Sequence, residues 1–102
     1  MISNQTYGLS QKTMDKILTV LKSFDEVEKV ILFGSRAKGN FKEGSDIDLA
    51  IKGMGLNMDI LRKLEIKIDN LMLPYEVDLI IYDQIKEPAL KEHINRVGME
   101  LG

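Results

Sequence analysis

Apolar residues fall at Met14, Ile17, Leu18 and Leu21, the i, i+3, i+4, i+7 spacing of one buried helical face, and Ser10 stands where a cap belongs. The pattern predicts a helix that ends near Phe24. Lys29 to Phe33 is short, apolar and closed by Gly34, which predicts a buried strand. A second strand is expected from about Asp46 to Lys52. Its period of two sets Ile47, Leu49 and Ile51 on one face and Asp46, Asp48 and Ala50 on the other. Leu61, Leu64, Ile68 and Leu71 mark a further helix that Pro74 stops, and Glu76 to Tyr82 repeats the strand pattern with Asp78 on the face opposite Val77, Leu79 and Ile81. Pro88, Leu90, Ile94, Val97 and Leu101 predict a last helix, frayed or turned at Gly98. The order helix, strand, strand, helix, strand, helix predicts a small α/β (α+β) fold, a mixed sheet with helices on one face.

Two strands thus carry acids that a core does not need. Asp46 and Asp48 are separated by roughly 6.6 Å along a strand, at a rise of about 3.3 Å per residue, so their carboxylates can converge. If the third strand pairs beside the second, Asp78 joins them, and three negative charges facing one spot call for a divalent cation. All-oxygen ligation suits magnesium or manganese, and two such ions about 3.5–4 Å apart serve in-line displacement at phosphorus. Gly34 allows a tight turn after the first strand, and Ser35 can open a short helix to Lys38 whose amides favour a phosphate. Arg36, Lys38 and Lys42 add positive charge near that loop.

Two commoner motifs fail. GSRAKG has the glycine spacing of a P-loop, but Asn40 and Phe41 stand where Lys and Ser or Thr are required. DIDLAIKG superficially resembles a calcium loop, yet Ala50 and Ile51 occupy positions that need an acid or amide and the turning glycine.

Composition narrows the partners. The 102 residues are expected to form one domain, 1–102, with little room for a separate substrate-binding unit. A net charge of −2 argues against an extended nucleic-acid surface, so any nucleotide contact is local. The absence of cysteine removes disulfides, thiolate zinc sites and thiol nucleophiles. No leader-like start or membrane span is evident, and a soluble, cytoplasmic protein is expected. His93 is the single histidine and reads as structural, and the six methionines read as core filling or a partner surface.

Gly34-Ser35, ten residues, then Ser45-Asp46-x-Asp48, with a later carboxylate in EVDLIIYD and the tail PALKEHINRVGMEL, resembles the minimal nucleotidyltransferase branch of the DNA polymerase beta superfamily. The resemblance covers nearly the whole chain. It implies that Asp46 and Asp48 hold two Mg²⁺ ions, with Mn²⁺ an alternative, and that Asp78 holds the catalytic ion and helps deprotonate the acceptor hydroxyl. Gly34 and Ser35 would grip the triphosphate of ATP, with Arg36 and Ser45 as further nucleotide-binding residues. Minimal members are commonly paired with a helical HEPN ribonuclease toxin, and as antitoxins some transfer AMP from ATP to a tyrosine of that toxin. Transfer to a small hydroxylated molecule and a binding-only antitoxin are the alternatives, and a homodimer or a hetero-oligomer with the toxin both stay open.

Overall fold

A computed structural model describes residues 5–102. A two-residue turn, Tyr7-Gly8, joins β1 (Gln5–Thr6) to β2 (Leu9–Ser10), with positive φ at both turn residues, 57° and 76°. That is the twist a two-residue hairpin needs. This hairpin lies ahead of the predicted elements: its strands are too short to leave a periodic signal. The helix α1 (Gln11–Lys22) follows at once, and the Ser10 hydroxyl accepts the Thr13 amide at 3.1 Å as the expected cap.

The remaining elements are β3 (Lys29–Phe33), α2 (Gly34–Lys38), β4 (Ile47–Lys52), α3 (Met58–Asp69), β5 (Val77–Ile81), α4 (Pro88–Val97) and β6 (Met99–Leu101). A single 3₁₀ turn, Tyr82–Gln84, ends β5. The main sheet has the order β5-β4-β3-β6, with β4 and β5 parallel and the other pairs antiparallel. The parallel pair is linked by α3, the crossover that parallel strands require.

Alternation along the strands separates two apolar layers. Val30, Leu32, Ile47, Leu49, Ile51 and Leu79 point to one face, where α1 brings Met14, Ile17 and Leu21 and α3 brings Leu61, Leu64 and Ile68. Full burial of such aliphatic side chains is worth about 1.5–3 kcal/mol each. Opposite them, Phe33 and Ala50 pack against Ile94 of α4, with Ile31, Ile80 and Leu90 around them. The expected one-sided cover therefore holds for α1 and α3 only. Helix α4 packs on β3 and α2, while Asp48 stays half-buried and Asp78 exposed at the neighbouring strand positions.

Two boundaries differ from expectation. Helix α3 ends at Asp69, before Leu71 and Pro74, because the chain turns through Met72 in the left-handed region at φ 56°. The last helix does not reach Leu101. At Gly98 the backbone becomes extended, and a Cβ there would strike the Ile94 carbonyl and approach Ile31 Cγ2 to 2.7 Å. Only glycine lets the chain pass so close to β3 and pair with it, Val30 opposite Leu101.

Candidate active site

Phe33, Asp48 and Asp78 are register partners across β3, β4 and β5, so the two carboxylates start from adjacent positions on one face. Gly34 follows Phe33 and begins α2 at φ 76°. A Cβ at Gly34 would collide with the Asp48 carboxylate oxygen. The glycine is thus needed twice: for its left-handed backbone and for the space the acid occupies.

Asp48 is half-buried, and its carboxyl is pushed up from 3.8 to about 6. Burial contributes most, followed by the charge of Asp78 and a hydrogen bond shared with it, and then by the charge of Asp46. Asp46 lies in the segment just before β4, exposed, and acts on Asp48 through its charge alone. The expected triad is therefore a touching pair with a third acid standing off. Among the described residues no three acidic, histidine or cysteine side chains are gathered closely enough to hold a metal ion between them.

The residues nevertheless fit a divalent cation. The donors are all carboxylate oxygens, the ligand type a hard divalent cation takes, and the glycine at position 34 makes room for the Asp48 carboxylate beside the turn. Asp48 and Asp78, with Asp46, would hold the ion.

Two further expectations meet a different geometry. Arg36 does not reach out to a phosphate: it is only 2% exposed, and its guanidinium donates to the Ser45 carbonyl from Nε (3.2 Å) and Nη2 (2.8 Å) and to the Tyr7 carbonyl from Nη1 (2.9 Å). Ser45 is likewise engaged. Its hydroxyl accepts the Lys42 amide at 2.8 Å while its own amide donates to the Lys42 carbonyl at 3.0 Å, closing a β-turn through Gly44. Both residues hold the loop together through these bonds. Ser35, by contrast, is partly exposed beside Gly34 on the first turn of α2. Lys38 and Lys42 are exposed.

His93 belongs to this neighbourhood, which its place in the sequence did not reveal. From α4 it accepts the Gly34 amide at Nε2 (3.3 Å) and sets its ring edge-on to Phe33, centroids 6.2 Å apart. The imidazole accepts that bond only when Nε2 is unprotonated. Two surface cavities, about 440 Å³ beside Arg62, Ile66 and Val77 and about 510 Å³ against Lys12, Lys16 and Leu71, lie apart from the carboxylates.

A strand-end acid pair beside a Gly-Ser turn, on a mixed sheet of this order, defines a nucleotidyltransferase. The chain belongs to the polymerase beta nucleotidyltransferase family, whose model matches residues 15–101. Two proteins of Methanocaldococcus jannaschii named as candidate protein adenylyltransferases are similar to it. One is 31% identical over 93 residues, covering 83% of this chain and 87% of the relative; the other is 35% identical over 80 residues, covering 78% and 83%. Among solved structures, the fold resembles a chain of a toxin–antitoxin crystallised with AMP-PNP, at TM-score 0.72 and 24% identity over 87% of this chain and 72% of that one. It also resembles a chain of the complex between a tri-AMPylated HEPN toxin of Shewanella oneidensis and its MNT antitoxin, at TM-score 0.69 and 22% identity over 90% and 71%. At these identities the two likenesses speak to the fold. No helix among the described residues is long and apolar enough to cross a membrane.

Proposed function

We propose that this chain transfers AMP from ATP to a hydroxyl, a tyrosine foremost, of a helical HEPN-type toxin, and neutralises the toxin by doing so. The observation that carries the reading is the Asp48–Asp78 pair on parallel strands, set against the Gly34 notch and reinforced by the charge of Asp46. The protein-modifying relatives and the toxin–antitoxin complexes of like fold support the choice of acceptor.

In this reading Asp46, Asp48 and Asp78 hold Mg²⁺, or Mn²⁺. When bound, the metal lowers the charge on the triphosphate and favours the ionised acceptor. Asp78, exposed at the outer side of the pair, receives or steers the proton of the acceptor hydroxyl. The Gly34-Ser35 turn offers the Ser35 hydroxyl to the triphosphate, and Gly34 keeps side-chain bulk away from it. The acceptor oxygen forms a bond to the α-phosphorus, the bond from that phosphorus to the bridging oxygen breaks, and pyrophosphate leaves. No other residue need act as a nucleophile.

The test is direct. The purified chain is incubated with Mg²⁺, labelled ATP and the HEPN-like product of a neighbouring gene, and intact masses are measured. Each addition to the partner should weigh one AMP, and Asp46→Asn should add none. A partner bound and inhibited but unmodified would replace this reading with a binding-only antitoxin.

A further inference from the structure

We infer that Arg36 is a positioning residue for the cation site, a buried clamp that sets the Ser45–Asp46 peptide and thereby the aim of the Asp46 carboxylate. The inference rests on the reading that Asp46 holds a cation. Its basis is the environment of the guanidinium. Arg36 is almost completely buried, yet its hydrogen-bond partners are two neutral backbone carbonyls, and its sides are closed by the rings of Phe41 and Tyr75, 5.1 and 5.0 Å from the guanidinium carbon to the centroids.

Burying a guanidinium costs several kcal/mol even after relaxation, and no acid among the described residues forms a salt bridge with it. An apolar side chain of similar length fills such a space at lower cost. What only arginine supplies is the planar fork, here closed on one oxygen from Nε and Nη2 together. That oxygen belongs to the peptide unit between Ser45 and Asp46. Because the unit is planar, holding its oxygen fixes the plane from which the Asp46 Cα departs.

The clamp also ties together segments distant in sequence. Arg36 sits on the short helix that begins with Gly34 and Ser35, so the turn proposed to face phosphate and the peptide leading to the acids are held by one element. Its third bond reaches Tyr7 in the N-terminal hairpin turn, where a Cβ at Gly8 would strike the Phe41 ring and come within 2.8 Å of Arg36 Nη1. The hairpin turn, the aromatic walls and the guanidinium form one packed stack. Asp46 itself is exposed, just outside β4, so its direction depends on the peptide behind it.

Mn²⁺ alone serves as the probe, titrated into the full chain without nucleotide and followed by loss of the free-ion electron paramagnetic resonance signal. Arg36→Met should weaken Mn²⁺ binding at least tenfold while circular dichroism stays that of a folded protein. Phe41→Leu removes one aromatic wall and keeps all three hydrogen bonds, and should weaken binding a few-fold. Leu101→Ala, which loosens the far edge of the sheet, controls for stability loss and should bind within twofold of wild type. A folded Arg36→Met protein with wild-type Mn²⁺ affinity overturns the positioning role; if that variant does not fold, unchanged affinity in Phe41→Leu overturns it instead. Wild-type protein that takes up no Mn²⁺ at all fails the carboxylate site first, and the clamp with it.

Discussion

Asp48 is the residue on which the most physics converges. Its carboxyl is raised from 3.8 to about 6 because burial and two neighbouring acids both oppose its charge. The folded state therefore binds this proton more tightly than the unfolded chain does. The stability it contributes is fully present below about 3.8 and is lost as pH rises through about 6. In chelator, wild type should lose stability from about pH 4 to about pH 7 relative to Asp48→Asn, by on the order of 1 kcal/mol once solvent screening of a partly exposed group is allowed for. Urea melts across that range measure it, and parallel pH profiles for the two proteins would sink the argument. Gly34→Ala tests the same notch from the other side. Left-handed backbone costs a non-glycine residue about 1–2 kcal/mol, and the added methyl displaces the Asp48 carboxylate, so nucleotide transfer should fall far more than stability does. A folded Gly34→Ala protein with undiminished transfer would mean that the notch has no part in the reaction.

At the scale of elements, periodicity was a reliable guide wherever an element buries one face over several turns or residues. Helix α1, strand β3 and the carboxylate strands β4 and β5 lie where the apolar spacing sets them, within a residue or two. With them came Asp48 and Asp78 as register partners on one face, while Asp46 lies just ahead of β4. Strand β6 was not legible, since Leu101 continues the helical spacing of Leu90, Ile94 and Val97, and only the placed backbone shows that Gly98 turns extended and passes close to Ile31. Nor could the sequence reveal which way Arg36 points: a basic residue after Gly-Ser reads as a phosphate ligand until the neighbouring carbonyls and rings are placed around it. His93 was hidden for the same reason, being 59 residues from the amide it accepts. Leu101 offers a measurement that separates strand from helix end. It is buried in the layer under α1 and paired with Val30, so Leu101→Ala should cost about 2–3 kcal/mol in chemical denaturation. A loss below about 0.5 kcal/mol, the range of exposed sites, would leave β6 without its role in closing the sheet edge.

On the scale of the whole molecule, the balance of charge decides how the protein should respond to its ligands. The net charge is only −2, so no long-range field gathers a triphosphate, and nucleotide that arrives alone brings its own negative charge to a face already carrying Asp46, Asp48 and Asp78. ATP without metal should therefore bind weakly and stabilise little. If the acids hold Mg²⁺ as proposed, both terms change, since the ion would remove the repulsion among the acids and between acids and phosphates, and a ligand that binds only the folded state stabilises by mass action. At a hundredfold excess over its dissociation constant that effect is about 2.7 kcal/mol, which for a domain of this size is a rise in Tm on the order of 10 °C. Thermal melts with Mg²⁺ alone, ATP alone and both together should show the combined shift exceeding the sum of the separate ones. In Asp48→Asn the excess should disappear while the protein still melts cooperatively. Equal shifts for ATP with and without Mg²⁺ at saturation would show instead that the nucleotide is held by contacts that do not involve the carboxylates.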